Sequence, residues 1–419
     1  MPGADGSGFP AEHLPYGVFS TSGSPPRVGV RIGDVVVDLA RLAADGLVDG
    51  PFAHPALNPF LAQGPERWSA VRSRLTELLC DPAGRAGVVP ALVPVAAARL
   101  HLPIAVADYV DFYSSLEHAT NLGRLFRPEG DPLLPNWRHL PVGYHGRAGT
   151  VVVSGTPVVR PNGQRRTPHG SVLFGPTTRL DIELEVGVVV GTPSALGRPV
   201  PIAEAADHAF GVALVNDWSA RDVQAWEYQP LGPFLGKSFA TTMSAWVTPL
   251  EALADCRVPG PRQVPRPLPY LDLEEPWGLD LALEVVMRPA GGSGGGGSAG
   301  DGGDVVSRTS SAGLYWRFPQ QIAHLTANGA ALRSGDLLAS GTVSGPARGT
   351  EGSLIELTRG GTEPLRVAGV DRTFLEDGDE VTLRGTATVA GGVAITLGEA
   401  TGRIEPAPPV PAAGGPGGR

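Results

Sequence analysis

The sequence predicts a mainly β protein with some α. Three observations carry that expectation. The chain holds 58 glycines and 42 prolines in 419 residues, so turns recur along its whole length. Its apolar runs are short, and several alternate with polar residues. Few segments sustain a helical period. Hydrophobic residues make up 42% of the chain, enough for a large buried core, and the length allows two or more domains.

Taken in order, residues 1–26 are rich in Gly, Ser and Pro and read as irregular. Val28, Val30 and Ile32 alternate with Arg27, Gly29 and Arg31, and Gly33-Asp34 turns this strand into Val35, Val36 and Val37. Residues 65–79 read as a helix, with Trp68, Val71, Leu75, Leu78 and Leu79 on one face and Asp81-Pro82 as the stop. Residues 1–105 therefore form a small N-terminal domain without obvious chemistry. Ser114 and Glu117 have capping-box spacing, which predicts a short helix carrying His118 and Asn121 and ending near Gly123. A loop follows, then a strand at 150–153. Residues 180–190 read as a strand that places Asp181, Glu183 and Glu185 on one face. Next-but-one carboxylates lie about 6.5 Å apart and repel by roughly 2.5 kcal/mol at an effective dielectric of 20. They need solvent, protons or a cation. A solvated acidic face is the bland reading, and the following Val188-Val189-Val190 argues against it.

Further on, a helix is expected at 202–207 and a buried strand at 210–215 ending near Asp217. Ser219 is expected to cap a helix bearing Arg221, Gln224 and Trp226. Residues 231–238 fail the P-loop pattern, because Leu231 stands where its first glycine belongs; Lys237 is kept as a pocket cation. Strands are expected at 246–250 and 279–287, then a flexible Gly/Ser insert at 291–303. A helix follows Pro319, and Gly335-Asp336 turns into the 337–342 segment. Residues 353–358 alternate like a strand, late strands fall at 374–384 and 394–397, and 406–419 read as a mobile tail.

The formal net charge of −9 argues against nucleic acid or an anionic membrane as partner. No secretory leader is visible, and the weakly polar run 86–98 is too short to span a bilayer. Cys80 and Cys256 supply neither a disulfide framework nor a cysteine zinc site, which fits a reduced, cytoplasmic setting.

Residues 108–147 concentrate carboxylates, histidines, tyrosines and amides, the mixture a ligand pocket needs. Separate segments add Glu183 with Glu185, Asp217 and Glu356 to Asp111. Oxygen ligands without cysteine point to a hard cation, Ca²⁺ or Mg²⁺. His118 is the natural general base, and Arg221, Gln224 and Lys237 are donors suited to a developing oxyanion. These residues alone suggest a metal-dependent hydrolase or lyase. His139 and His145 read as structural loop histidines, Tyr109, Trp137 and Trp218 as packing, Asp108 and Asp181 as strand-end or solvated carboxylates, and Asp222 as the partner of a basic neighbour.

Six stretches, 111–121, 135–147, 181–185, 216–222, 230–239 and 335–342, occur in the order found in the fumarylacetoacetate hydrolase family, which the chain resembles. The resemblance is dense over 105–250 and 315–385. It implies an SH3-like β-domain (1–105) followed by a larger catalytic β-roll (106–405), assembled as a homodimer. It implies that Asp111, Glu183, Glu185 and Asp217 ligate Ca²⁺ or Mg²⁺ beside Lys237 and Thr241. It makes His118 the base, oriented by Glu356, with Arg221, Gln224 and Lys237 at the oxyanion. Tyr113, Arg127, Tyr144 and Thr342, with Arg221 and Gln224, match substrate-binding positions. The implied substrate is a small diketo-dicarboxylate, cleaved hydrolytically at a carbon–carbon bond in the last step of tyrosine and phenylalanine breakdown. The alternatives are another member such as an acylpyruvate hydrolase or decarboxylase, or more remotely a non-catalytic Ca²⁺-binding module. The full His118 motif favours the first reading.

Overall fold

The computed structural model describes residues 4, 6–167, 169–292 and 303–410. Most of the expected Gly/Ser insert, and the tail beyond 410, lie outside the described residues. The chain is mainly β with some α, an N-terminal domain of strands followed by a larger β-domain.

β1 (Tyr16–Ser20), β2 (Arg27–Ile32) and β3 (Val35–Asp38) form an antiparallel meander, with Gly33 at φ 54° in the second turn. β1 falls in the stretch expected to be irregular. Its first four residues are buried on both faces, so it lacks the alternation that reveals a half-buried strand. α1 (Pro65–Cys80) starts with Pro65 after Gly64 and buries the five expected side chains, Trp68, Val71, Leu75, Leu78 and Leu79.

The larger domain opens with β4 (Tyr109–Phe112), α2 (Leu116–Phe126), β5 (Gly143–His145) and β6 (Val151–Val153). Then come β7 (Leu184–Val190), β8 (Ala209–Asp217), α3 (Arg221–Glu227), β9 (Thr241–Met243) and β10 (Trp246–Pro249). It closes with β11 (Ala282–Arg288), β12 (Asp304–Ser310), α4 (Phe318–Thr326), β13 (Leu337–Ala339), α5 (Leu354–Leu357), β14 (Glu380–Val389) and β15 (Val393–Glu405).

One 13-stranded sheet contains the path β3-β2-β1-β10-β8-β7-β13-β4-β5, with β9 joined to both β8 and β6. The N-terminal meander thus continues the sheet of the larger domain. A five-stranded sheet runs β12-β11-β14-β15 and ends on Val158–Val159. β7 and β8 are buried on both faces. Val212 and Leu214 enter the core of the larger domain, whereas Ala213 and Val215 join the core shared with the N-terminal part. That explains their near-continuous apolar sequence.

Four local expectations differ from the structure. The cap of α2 is Ser115, whose Oγ accepts from the His118 amide at 3.2 Å; Ser114 instead accepts from Gln321 Nε2 at 2.8 Å. Ser219 caps nothing, because its hydroxyl turns back to the Asp217 carbonyl at 3.0 Å. The helix expected at 202–207 is one short 3₁₀ turn, Ala205–His208, since so short a run cannot sustain an α-helix without strong tertiary support. Residues 353–358 hold α5 rather than a strand. All four of its side chains are buried, so polarity leaves no record of its period.

Candidate active site

Three strands, and the break just before one of them, meet at one cluster of carboxylates. Asp111 lies on β4, where it pairs in register with Ala339 of β13 and Tyr144 of β5. Glu185 lies on β7 opposite Val215, and Asp217 ends β8 opposite Thr241 of β9. Glu183 occupies the break just before β7, its amide donating to Asn216 Oδ1 at 3.1 Å and its carbonyl accepting from the Asp217 amide at 3.2 Å. All four residues are buried, and one oxygen from each lies within 4.8 Å of the others. The solvated-face reading of the acidic strand fails for all three of its residues. Asp181 is fully buried but stands apart from the cluster. It accepts from the amides of Leu354 and Ile355 at 2.7 and 3.1 Å and from Arg221 Nε at 2.8 Å. Its negative charge holds the N-terminus of α5.

Such crowding is costly without compensation. Burial, then Asp217, pushes the Asp111 carboxyl up to about 6, against the pull of Arg147 and Lys237. Burial and the three neighbouring carboxylates push Glu185 well above its ordinary value. Burial acts the same way on Glu183, but Lys237, Arg221 and His118 outweigh it and hold that carboxyl below the usual range. Lys237 Nζ pairs with Glu183 Oε2 and, at 2.9 Å, with Asp217 Oδ2. Thr241 Oγ1 donates to Asp217 Oδ1 at 2.9 Å, and Tyr144 OH to Asp111 Oδ2 at 2.8 Å.

The charges present fit a divalent cation. Lys237 and Arg147 answer two of the four carboxylates, and Arg221 is matched by Asp181, which leaves two negative charges in surplus. Glu185 Oε1 is buried without a hydrogen-bond partner. An all-oxygen donor set with an unpaired buried oxygen suits a hard metal ion.

The second half of the site is a histidine held by a carboxylate. Glu356, on α5, accepts from His118 Nδ1 at 2.6 Å. The same oxygen accepts from Ser344 Oγ at 3.0 Å and Ser353 Oγ at 2.6 Å, and the other accepts from Asn121 Nδ2 at 3.0 Å. Burial raises the Glu356 carboxyl, yet His118, Ser353 and Asn121 bring it below its ordinary range. With Nδ1 engaged, His118 turns Nε2 towards the cluster, 3.9 Å from Glu183 Oε1. The Tyr113 ring packs edge-on against the imidazole, with centroids 5.3 Å apart.

Arg221 Nη1 reaches Glu183 Oε1 at 2.9 Å and Gln224 Oε1 at 3.1 Å, while its Nη2 is buried without a partner. Thr342 Oγ1 and Arg127 Nε are unpartnered and buried in the same way, although Arg127 Nη2 donates to the Pro132 carbonyl at 2.6 Å. Thr342 reaches its position because Gly341, at φ 76°, passes tightly against β4; a Cβ there would come within 2.2 Å of the Phe112 carbonyl oxygen.

Sequence reasoning missed Arg147, Ser344 and Ser353, and gave Asn121 no role. Arg147 Nη2 bridges Asp111, at 2.8 Å, to Asp217, and its guanidinium packs over the rings of Tyr109 and Tyr144 at 4.7 and 5.0 Å. It ends a loop in left-handed conformation at φ 56°, which nothing in its neighbours announces. The serines could have been found only by knowing that 344 and 353 both reach Glu356.

Two family models match the chain. "Fumarylacetoacetase N-terminal" covers residues 12–103, and "Fumarylacetoacetate (FAA) hydrolase C-terminal" covers residues 108–404. The chain is 45% identical to the fumarylacetoacetase of Homo sapiens, over 97% of this chain and 98% of the relative. It is 47% identical to that of Caenorhabditis elegans, over 96% and 97%. Among solved structures it resembles a fumarylacetoacetate hydrolase from Exiguobacterium antarcticum, with TM-score 0.54, 17% identity, and 94% of this chain and 99% of that one covered. It also resembles a maleylpyruvate hydrolase from Sphingobium, with TM-score 0.51, 17% identity, and 94% and 100% covered. At those identities the structural likeness concerns the fold alone.

Proposed function

The chain belongs to the fumarylacetoacetate hydrolase family, and on that premise we propose that it hydrolyses the carbon–carbon bond of 4-fumarylacetoacetate to fumarate and acetoacetate. It is then a hydrolase acting on carbon–carbon bonds in ketonic substances. The observation that carries this reading is the buried Glu356–His118 pair, joined at 2.6 Å, with the free imidazole nitrogen facing four clustered carboxylates.

In this reading Asp111, Glu183, Glu185 and Asp217 hold Ca²⁺ or Mg²⁺, with Lys237 and Thr241 fixing the oxygens of Glu183 and Asp217. When bound, the cation acts as a Lewis acid towards the diketone oxygens and favours an enolate leaving group. His118 Nε2 takes a proton from water, and Glu356 stabilises the imidazolium that results. The hydroxide adds to the fumaryl carbonyl carbon. Arg221 Nη2, Gln224 and Lys237 receive the negative charge that gathers on its oxygen. As that oxygen re-forms its double bond, the carbon–carbon bond breaks, its electron pair leaves with the acetoacetate carbon, and a proton returns to that carbon.

Tyr113, Arg127, Tyr144 and Thr342, with Arg221 and Gln224, bind the substrate. The unpaired Arg127 Nε and Thr342 Oγ1 support the assignment, as groups that a polar ligand would satisfy. The remaining proposals are a division near residue 105, a cytoplasmic homodimer, and a place in tyrosine and phenylalanine breakdown. The break between the two family matches, at 103 and 108, supports the first. Direct turnover of fumarylacetoacetate by purified protein, with acylpyruvates as competitors for the assignment, tests the proposal.

A further inference from the structure

Asp181 is fully buried and belongs neither to the carboxylate cluster nor to the Glu356–His118 pair. Its carboxylate accepts four hydrogen bonds. Oδ1 accepts from the amides of Ile182 and Leu354, at 2.8 and 2.7 Å. Oδ2 accepts from the Ile355 amide and Arg221 Nε, at 3.1 and 2.8 Å. The backbone of Asp181 is fixed as well, because Leu180 and Asp181 pair with Ala220 and Ser219, the two residues before α3. Asp181 therefore joins the segment that carries Arg221 to α5, which carries Glu356.

α5 depends on that contact. Ser353 occupies its N-cap position, but the Ser353 hydroxyl donates to Glu356 Oε2 at 2.6 Å and caps nothing. The first amides of a helix have no partner within it. In a buried segment each one left bare costs about 1–3 kcal/mol. Asp181 accepts from the first two, although Leu354 lies 173 positions further along the chain. The consequence reaches the chemistry. Glu356, two residues after Leu354, holds His118 at 2.6 Å. His118 Nε2 and Arg221 Nη1 approach the same atom, Glu183 Oε1, at 3.9 and 2.9 Å. The base and the oxyanion donor thus converge, and Asp181 binds the supports of both.

We propose that Asp181 is a positioning residue for the hydrolysis, the group that fixes the base-bearing pair relative to the oxyanion donor. This rests on the mechanistic reading given above. Asp181 touches no reacting atom and acts through α5 and Arg221. A misplacement of about 1 Å in such a constellation costs about a hundredfold in rate.

Asp181→Asn tests the assignment. Its NH₂ group opposes two donors in either orientation, so two of the four hydrogen bonds are lost while the size is kept. Asp379→Asn is the matched control. Asp379 is equally buried and accepts from the amides of Ala290 and Glu376 and from Arg372, away from the residues of the site. Both variants should melt at lower temperature. Only Asp181→Asn should lose kcat, about a hundredfold, with a far smaller change in KM. A second readout needs neither metal nor substrate. The His118 Nδ1 proton, in a 2.6 Å hydrogen bond to a buried carboxylate, gives a far-downfield proton resonance, identified by its loss in His118→Ala. That signal should shift or broaden in Asp181→Asn and stay in place in Asp379→Asn. If Asp181→Asn does not fold, Leu354→Pro takes its role, because it deletes one amide that Asp181 accepts. Proline suits the first turn of a helix, and Ser353 before it is already extended at φ −139° and ψ 153°. Leu354→Pro should move the same signal and lower kcat at least about tenfold. A wild-type signal and kcat in either folded variant, or equal losses in Asp379→Asn, would overturn the proposal. Wild-type protein inert towards fumarylacetoacetate would instead refute the mechanistic reading, and the proton signal would still decide whether Asp181 holds the pair.

Discussion

Replacing Glu356 by Gln isolates the electrostatic part of the proposed mechanism. The change keeps the shape of a side chain that accepts four hydrogen bonds, from His118, Asn121, Ser344 and Ser353. The new amide group has one tolerable orientation. Its oxygen must face His118 and the two serines, and its NH₂ must face Asn121, which can reverse its own amide to accept. His118 therefore keeps its tautomer and position but loses the negative charge beside it. The Nδ1–Oε2 distance of 2.6 Å puts the centres of charge about 4 Å apart. Two unit charges at that separation interact by about 4 kcal/mol at an effective dielectric of 20. The imidazolium forms only as water is deprotonated, so the loss falls on the chemical step, about 10³-fold in kcat. KM should barely move, because substrate binding requires no charge on His118. Loss of diketone absorbance gives the rate, and a thermal melt confirms the fold. A Glu356→Gln enzyme that folds and keeps kcat within tenfold of wild type would refute the reasoning.

Saturating Ca²⁺ or Mg²⁺ should stabilise the protein by about 2.7 kcal/mol at one hundred times its dissociation constant. Glu185→Gln should abolish that response in thermal melts without destabilising the metal-free protein, since the Glu185 carboxyl is already driven towards its neutral form by burial and its neighbours. His13, buried against Thr248, has its pKa depressed from 6.5 to about 3 by burial. A depressed folded-state value makes the stabilisation complete above the unfolded value of 6.5 and progressively lost as pH falls towards 3. Urea unfolding should therefore show about 2 kcal/mol less stability at pH 5 than at pH 8 from this group, a difference that His13→Gln should remove. Gly341→Ala forces a Cβ against the Phe112 carbonyl at a positive φ and should cost about 2 kcal/mol or more; an unchanged urea midpoint would contradict the close approach.

What the sequence made legible follows from how each residue type advertises itself. β2 and the helix α1 were readable because each has a face that is less buried, Arg27 and Arg31 on the strand, so polarity records the period, while β3 is buried on both sides and was legible only as the apolar run that follows the Gly33-Asp34 turn. β1 and α5 are buried on all sides and leave no such record. The carboxylates at 111, 183, 185 and 217 stood out because charged groups at the ends of apolar strands need an explanation, and they do converge. Arg147 did not stand out. A single arginine in a Gly-containing loop is an ordinary surface residue until the fold folds it back between Asp111 and Asp217. The hydroxyls of Ser344 and Ser353 are equally silent, because serine is common in loops and only the fold brings both to one carboxylate. Asp181 misled in the opposite sense. It shares the alternation of Glu183 and Glu185, yet a break before β7 turns it away to α5 and Arg221.

The central claim is that one buried histidine and one carboxylate-held cation together cleave fumarylacetoacetate. The most direct test follows fumarate and acetoacetate released by purified wild-type and His118→Ala protein, each stripped with a chelator and then resupplied with Ca²⁺ or Mg²⁺. The account predicts equimolar products from the wild type only when metal is returned, and none above background from His118→Ala, although the variant still gains thermal stability from the cation. Full turnover by His118→Ala, or by stripped wild-type enzyme, would contradict it.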